Sequence, residues 1–269
     1  MIGARSLGVV PFASHNASYN MALDIHLLAS CEQDPHRAFI RFYTWSPAAL
    51  SLGLLEPADA VDRKRAAADG IDLIRRPTGG RVVLHKRDLT YTVVVPIGRE
   101  ATVTEVYLYI AECMVAGLAT LGARVELARG SIAGSTARRK PCFLSAARHE
   151  VVHSGRKLLG SAQRLGRGAV LQHGSLPIGR DYLLVVDYLD CGADERAALR
   201  DQMLEASTCL EDIVGRTLEP DRVASRLLDA FVAGFDGPVV PVPDCVPADP
   251  SADTTLRLGD SPLCRDNCT

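Results

Sequence analysis

The stretch LIRRPTGGRVVLHKRDLTYTVVVP, residues 73–96, contains two apolar runs separated by a polar turn. In the second run, apolar residues alternate with threonines over residues 89–95, as in a half-buried strand. This pattern predicts a strand hairpin. A hairpin does not need several guanidinium groups to reverse direction, so the turn is also a candidate binding segment. Its polar and glycine residues are Arg75, Arg76, Thr78, Gly79, Gly80, Arg81 and His85.

Composition limits the partners of this turn. The chain has 269 residues, 47% hydrophobic and 23% charged, which predicts one large globular domain, and a monomer is the simplest expectation. A formal net charge of −2 provides no overall basic field for nucleic acid or anionic lipid. The arginine cluster is therefore a local feature, suited to a small anion or an acyl carrier.

Compartment and metal content follow from other patterns. No apolar run approaches the roughly 20 residues that span a bilayer, and the N-terminus lacks a secretory signal, so we expect a cytoplasmic protein. The eight cysteines are scattered without a CxxC pair, so we expect reduced thiols and no metal site.

The order of predicted elements indicates an α+β fold with a mixed, largely antiparallel sheet flanked by helices. Three further strands are predicted at residues 149–154, 156–165 and 169–178, and the periodicity is helical over residues 181–236. We expect residues 1–238 to form the catalytic domain and the Pro- and Asp-rich residues 239–269 to form a loosely ordered tail. The chain has neither a GxGxxG after the first strand nor a P-loop motif, which argues against nucleotide-binding folds of those types.

A second candidate segment lies at residues 138–178. Cys142 follows the basic run Arg138-Arg139-Lys140, and nearby cations stabilise a nucleophilic thiolate. Lys157 follows fifteen residues later and could move a proton if it is desolvated. From the residues alone, Cys142 could equally be a small buried hydrophobe, and Lys157 could be an ordinary lysine beside a hairpin tip.

Several motifs together resemble a known family. RRPTGGRVVLH, GRKLLGSAQR and LQHGS occur in that order, after NMALD and RFYTWSPAALSLG near the N-terminus. They resemble the catalytic domain of lipoate–protein ligases and octanoyltransferases, the lipoyl branch of the biotin/lipoyl ligase superfamily, over roughly residues 15–235. The Cys142-Phe143 pair upstream of the GRK strand resembles the LipM type of octanoyltransferase, although residues 144–148 depart from that pattern.

The resemblance implies roles for individual residues. Cys142 would carry the acyl group as a thioester, and Lys157 would assist proton transfer near the acyl carbonyl. The resemblance also implies an acyl pocket without a metal ion. The residues expected to bind substrate there are Arg75, Arg76, Thr78, Gly79, Gly80, His85, Gly160, Ser161, Ala162, His173 and Gly174.

Two reactions could use such a pocket. A transferase would move octanoyl from acyl carrier protein through Cys142 to a lysine of a lipoyl domain, in 2-oxoacid dehydrogenases or the glycine cleavage H protein, and would require no cofactor. An ATP-dependent ligase would form an acyl-adenylate and require ATP and Mg²⁺. Cys142 favours the transferase, because adenylate chemistry needs no cysteine. An amidotransferase acting between lipoyl domains and a non-catalytic acyl binder remain alternatives.

The arginines of the turn would then face a phosphopantetheine arm or an acidic partner. The basic run at residues 138–140 could dock acidic carrier proteins by charge complementarity, or could be a solvated loop.

Overall fold

The computed structural model describes residues 3–98, 101–130, 143 and 149–245. It contains twelve strands and six α-helices among these residues. The strands are β1 (Ser6–His15), β2 (Arg37–Trp45), β3 (Ala49–Leu52), β4 (Asp72–Arg75), β5 (Val83–His85), β6 (Asp88–Pro96), β7 (Glu126–Leu127), β8 (Val151–His153), β9 (Arg156–Lys157), β10 (Gly160–Leu165), β11 (Ala169–Pro177) and β12 (Val239–Pro241). The helices are α1 (Ala17–Gln33), α2 (Arg63–Ala68), α3 (Val103–Thr120), α4 (Ala193–Ala206), α5 (Leu210–Val214) and α6 (Pro220–Ala233).

The main sheet has the strand order β10-β11-β6-β2-β1-β12. Pairing is antiparallel from β10 to β2 and parallel on both sides of β1, so the sheet is mixed, as predicted. Alternation along β6 sends Val93 toward α3 and α6, and Val94 toward α1. The sheet is therefore covered on both faces, which confirms the α+β class.

The opening stretch does not form the predicted hairpin. β4 pairs in parallel with β3, and β5 pairs antiparallel with the other edge of β3, so β3 lies between them. The second apolar run also divides at Arg87, which has a positive φ of 50°, and β6 enters the main sheet. Local alternation predicted the strands, but a third segment supplies the backbone partners of both.

The predicted strand at residues 156–165 is likewise two strands. β9 pairs with β8 in a small sheet, whereas β10 pairs with β11 in the main sheet. Leu158 and Leu159 lie between them and are buried in the main core, which separates the two. The β8–β9 connection is the predicted tight turn, with Ser154 and Gly155 both at positive φ.

The predicted helical region is confirmed. It consists of a 3₁₀ segment at Arg180–Tyr188 followed by α4, α5 and α6. The chain continues in the fold beyond residue 238, because β12 pairs in parallel with β1. Asp244 then accepts a hydrogen bond from the Tyr19 hydroxyl and lies 2.6 Å from His15 Nε2. Residues 246–269 of the predicted tail lie outside the described residues.

Among the described helices, α3 is the one long and apolar enough to cross a membrane by length and composition, with mean hydropathy 1.3. Its residues Val106, Ile110, Met114 and Leu118 are buried in the main core. Gly117 lets α6 approach closely, because a Cβ there would lie 2.8 Å from a methyl of Leu227. Packing inside the fold accounts for the apolar character of α3.

Candidate functional site

A cavity opens on the α1 face of the main sheet, where β3 and β5 of the small sheet approach it. Its empty volume, including open space at the mouth, is about 500 Å³. The structure thus brings together segments that are far apart in sequence. The predicted residues lining the cavity are Arg76, Gly80, His85, Gly160, Ser161, Ala162, His173 and Gly174. Arg75, Thr78, Gly79 and Lys157 are not among the lining residues.

Arg75 is engaged with the backbone. Its Nη1 donates hydrogen bonds to the carbonyl oxygens of Gly53, Leu54 and Glu56, at 2.7, 3.1 and 2.7 Å. The guanidinium therefore fastens the turn after β3. This placement differs from the expectation that Arg75 faces a phosphopantetheine arm or an acidic partner.

Arg76 is buried and has a similar role within the RRPTGG loop. Its guanidinium donates to the carbonyl oxygens of Ser51, Gly79 and Arg81 at 2.9, 2.9 and 2.7 Å. The hydrogen bond to Ser51 is buried, and a buried carbonyl without a partner would cost about 1–3 kcal/mol. These contacts give the second arginine of the motif a structural role in shaping the cavity wall.

The glycines of this region allow two chain segments to cross. A Cβ on Gly53 would lie 1.9 Å from the carbonyl oxygen of Gly80, which no side chain could tolerate. Gly80 itself has a φ of +96°, a conformation that favours glycine. Gly79, in contrast, has open space around it. The crossing at Gly53 was not predicted from the sequence.

A buried hydroxyl–imidazole–carboxylate relay forms one part of the wall. Ser51 Oγ lies 2.8 Å from His85 Nε2, and His85 Nδ1 lies 2.9 Å from Asp88 Oδ2. Asp88 also accepts a hydrogen bond from Ser175 at 2.7 Å. The indole of Trp45 stacks on His85 with ring centroids 4.1 Å apart. Only His85 of this group was predicted, although Asp88 stands three residues after it.

A second relay positions the RRPTGG loop. His173 Nδ1 lies 3.0 Å from Asp24 Oδ2, and His173 Nε2 lies 2.6 Å from Thr78 Oγ1. Burial lowers the pKa of His173 below its usual 6.5, and the Asp24 carboxylate acts in the opposite direction. A neutral ring that donates its Nδ1–H to Asp24 accepts a hydrogen bond from the Thr78 hydroxyl at Nε2. Asp24, on α1, is the last residue of the NMALD motif, but sequence reasoning gave it no role.

A third group of polar side chains lies around Ser161. The Tyr91 hydroxyl lies 2.8 Å from Ser161 Oγ and accepts a hydrogen bond from Gln172 at 2.7 Å. Gln163 in turn donates to Gln172 at 2.9 Å. Burial raises the pKa of Tyr91 to about 12, so its hydroxyl keeps its proton at neutral pH.

The hydrogen bonds within the cavity wall determine which kind of ligand the cavity suits. The Ser51 hydroxyl, both imidazoles and the Ser161 hydroxyl are hydrogen-bonded to other protein groups. The indole N–H of Trp45 likewise donates to Thr90 Oγ1 at 2.8 Å. Since wall groups satisfy one another, an apolar ligand would leave none of these atoms without a partner. The cavity therefore suits an apolar group, despite the polar residue types around it.

A buried ion pair lies beside one end of the cavity. Lys157 Nζ is 2.8 Å from Glu150 Oε1, and the exposed fractions of the two side chains are 3% and 7%. The ammonium also lies 5.6 Å from the ring centroid of Phe143, which lines the cavity. A Cβ on Gly160 would contact both Phe143 and Lys157, at 3.5 and 3.6 Å. Glu150 is the charge partner that sequence reasoning did not identify.

Cys142, the predicted nucleophile, lies outside the described residues, as does the basic run at 138–140. The next residue in the chain, Phe143, is described and packs against the ring of Tyr182, with centroids 5.4 Å apart. The role of Cys142 therefore stays a prediction.

Known proteins resemble this chain in sequence. A family model described as the lipoyl protein ligase A/B catalytic domain matches residues 16–232. An octanoyltransferase LipM from Kyrpidia tusciae is 36% identical, with 84% of this chain and 86% of its own length covered. Octanoyltransferase LipM from Staphylococcus aureus is 32% identical, with 82% and 83% covered.

Solved structures show the same fold. A bipartite lipoate protein ligase from Thermoplasma acidophilum superposes with a TM-score of 0.70 at 22% identity, covering 89% of this chain and 88% of that one. A lipoate-protein ligase A bound with ATP gives a TM-score of 0.66 at 21% identity, covering 89% and 90%. The family model covers residues 16–232, which is most of the sequence, so this chain belongs to the lipoyl protein ligase A/B catalytic domain family.

Proposed function

We propose that this protein is an acyltransferase that moves an octanoyl group onto a lipoyl domain through a thioester on Cys142. The relatives named octanoyltransferase LipM cover most of the chain and support octanoyl transfer in protein lipoylation. The observation that carries the mechanism is the buried Lys157–Glu150 pair beside Phe143, at one end of a cavity suited to an apolar group.

The first half-reaction loads the enzyme. The thiolate of Cys142 attacks the carbonyl carbon of the donor thioester, and the carrier thiolate leaves as the new thioester forms. The amine form of Lys157 takes the proton of the Cys142 thiol, and the ammonium that results gives this proton to the departing thiolate. One thioester replaces another, so the step needs no external energy source.

The second half-reaction discharges the enzyme. The ε-amine of the acceptor lysine attacks the thioester carbonyl, the C–S bond breaks, and an amide forms. The amine loses one proton, and the Cys142 thiolate gains one. Glu150 acts as a positioning residue here, because its carboxylate holds the Lys157 side chain at the end of the acyl cavity.

An ATP-dependent ligase uses the same fold, as the structural neighbours show for their own chains. Likeness at about 21% identity concerns the fold, whereas the relatives with higher identity carry the transferase name. The transferase reaction requires no cofactor, whereas a ligase would require ATP and Mg²⁺. An amidotransferase would use the same second half-reaction and differ only in taking octanoyl from another lipoyl domain.

The proposed partners follow from this chemistry. The donor is octanoyl–acyl carrier protein, and the acceptor is a lipoyl domain of a 2-oxoacid dehydrogenase or of the glycine cleavage H protein. The structural neighbour from Thermoplasma acidophilum was studied together with its own E2 lipoyl domain. We propose that this protein meets these reactants in the cytoplasm.

The test is acylation without ATP. Purified protein is mixed with octanoyl–acyl carrier protein, and its intact mass is measured. An added octanoyl mass on the wild type that is absent from Cys142→Ser supports the proposal. Unmodified wild-type protein in the presence of a competent donor would argue against it, and Cys113→Ser serves as the control for loss of an unrelated buried thiol.

A further inference from the structure

The cavity runs across four adjacent strands of the main sheet. Gly160 pairs with Ser175, Ser175 with Thr90, and Thr90 with Tyr43, so one row of residues crosses four adjacent strands. Neighbouring strands lie about 4.8 Å apart, so the row spans roughly 14 Å. All four residues line the cavity, so a chain could lie along this row.

The two ends of the row are different. At the Gly160 end stand Phe143 and Lys157, beside the proposed reacting centre. At the Tyr43 end the cavity is bounded by Met21 of α1 and by Trp45. Met21 is 1% exposed and packs in a small apolar cluster with Tyr43. An acyl chain attached at the first end would therefore point its methyl terminus at the second.

Two of the residues at this far end are fixed by polar contacts. The Tyr43 hydroxyl donates to Asp24 at 3.2 Å, and the Arg41 guanidinium lies 3.7 Å from the centroid of the Tyr43 ring. Trp45 is held by its hydrogen bond to Thr90 and its stacking on His85. Tyr43 and Trp45 therefore form a rigid wall.

Met21 differs from these neighbours. Its side chain has no polar group comparable with theirs, and a thioether chain adapts its shape to fill irregular space. We propose that Met21 sets the upper limit on the length of the acyl chain that the cavity accepts. The inference rests on the proposed function, since it takes the Lys157 end as the position of the acyl carbonyl.

The test compares chain-length preference. Transfer rates are measured with octanoyl and dodecanoyl carrier thioesters for wild type and Met21→Ala. Shortening the side chain lengthens the cavity, and each methylene in such a pocket changes selectivity by about 10-fold or more. We expect the ratio of dodecanoyl to octanoyl kcat/KM to rise at least about tenfold. Met21→Val, a milder truncation, replaces Met21→Ala if that variant does not fold.

Leu23 provides a matched control. It lies on the same helix, is also 1% exposed, and packs in a different cluster with Leu27 and Val94. Leu23→Ala should leave the chain-length ratio unchanged. An unchanged ratio in Met21→Ala, or an equal rise in Leu23→Ala, would overturn the inference.

Failure of the proposed function would be distinguishable. If wild-type protein transfers no acyl group, the affinities for free octanoate and dodecanoate are measured by calorimetry. Preferential tightening of dodecanoate in Met21→Ala, absent from Leu23→Ala, would retain the role of Met21 as the end of the cavity. No change in relative affinity would reject it.

Discussion

The Lys157 ammonium and the Glu150 carboxylate form an ion pair of 2.8 Å inside the protein, next to the cavity. The two residues come from β9 and from the segment immediately before β8, so a tight turn brings them together. Each of the two charges is stabilised by the other, because an unpaired charge in the interior is costly.

Glu150→Gln should therefore affect both stability and activity. Removing one partner of a buried pair costs about 3–5 kcal/mol, because the other charge remains in the interior. We expect that loss in the free energy of unfolding, measured by urea denaturation, together with a changed pH profile of octanoyl transfer. Asp187→Asn is the control, since its pair with Arg200 is partly exposed and worth about 0–1 kcal/mol. Equal effects in both variants would contradict the role of Glu150.

Lys157→Arg separates the ion pair from the chemistry. Arginine keeps a positive charge for Glu150 but is always protonated and cannot pass a proton onward. We expect octanoyl transfer to fall at least about a hundredfold, the lower end of the usual contribution of general acid–base catalysis. The far-ultraviolet circular dichroism spectrum and the urea midpoint report whether the variant is folded. A folded variant with unchanged kcat would show that Lys157 moves no proton.

His173 gives the protein a pH-dependent stability. Burial lowers its pKa in the folded state below 6.5, so the unfolded chain binds more protons just below that pH. The free energy of unfolding should therefore fall as pH decreases from 6.5 toward the folded-state pKa, by at most about 1.4 kcal/mol per pH unit. Urea titrations at several pH values measure this slope. His173→Gln should reduce it, and an identical slope in the variant would exclude His173 as its source.

The crossing of two chain segments predicts opposite outcomes for two glycines. Gly53→Ala places a methyl carbon 1.9 Å from the Gly80 carbonyl oxygen, so we expect a loss of at least about 3 kcal/mol in the free energy of unfolding or failure to fold. Gly79→Ala meets nothing within 4 Å and should change the free energy of unfolding by no more than about 0.5 kcal/mol. Thermal denaturation of both variants distinguishes the two. A stable Gly53→Ala protein would show that the segments do not cross so closely.

Local sequence patterns predicted the fold class and much of the cavity. Apolar runs identified the strands that carry His85 and His173, and the family motifs grouped Gly160, Ser161 and Ala162 with them. These patterns involve residues that are close in sequence, so one segment alone is enough to recognise them.

Pairings between segments that are distant in sequence could not be predicted from local patterns. β3 separates β4 from β5, although nothing in the turn between them indicates a third strand. Asp24 meets His173 across 149 positions, and Ser51 meets His85 across 34. Asp24 and Ser51 lie in the NMALD and RFYTWSPAALSLG motifs, but their partners depend on the packing of α1 and β3 against the sheet, which these motifs do not specify.

Transfer through a Cys142 thioester is tested most directly by a single turnover of enzyme that already carries the octanoyl group. Protein carrying octanoyl on Cys142 is freed of donor and mixed with a lipoyl domain in the absence of ATP, and the masses of both proteins are followed. We predict that the octanoyl mass leaves the enzyme and appears on the acceptor lysine at the same rate. Modification of the lipoyl domain only when ATP is added, with equal yield from Cys142→Ser, would contradict transfer through a Cys142 thioester.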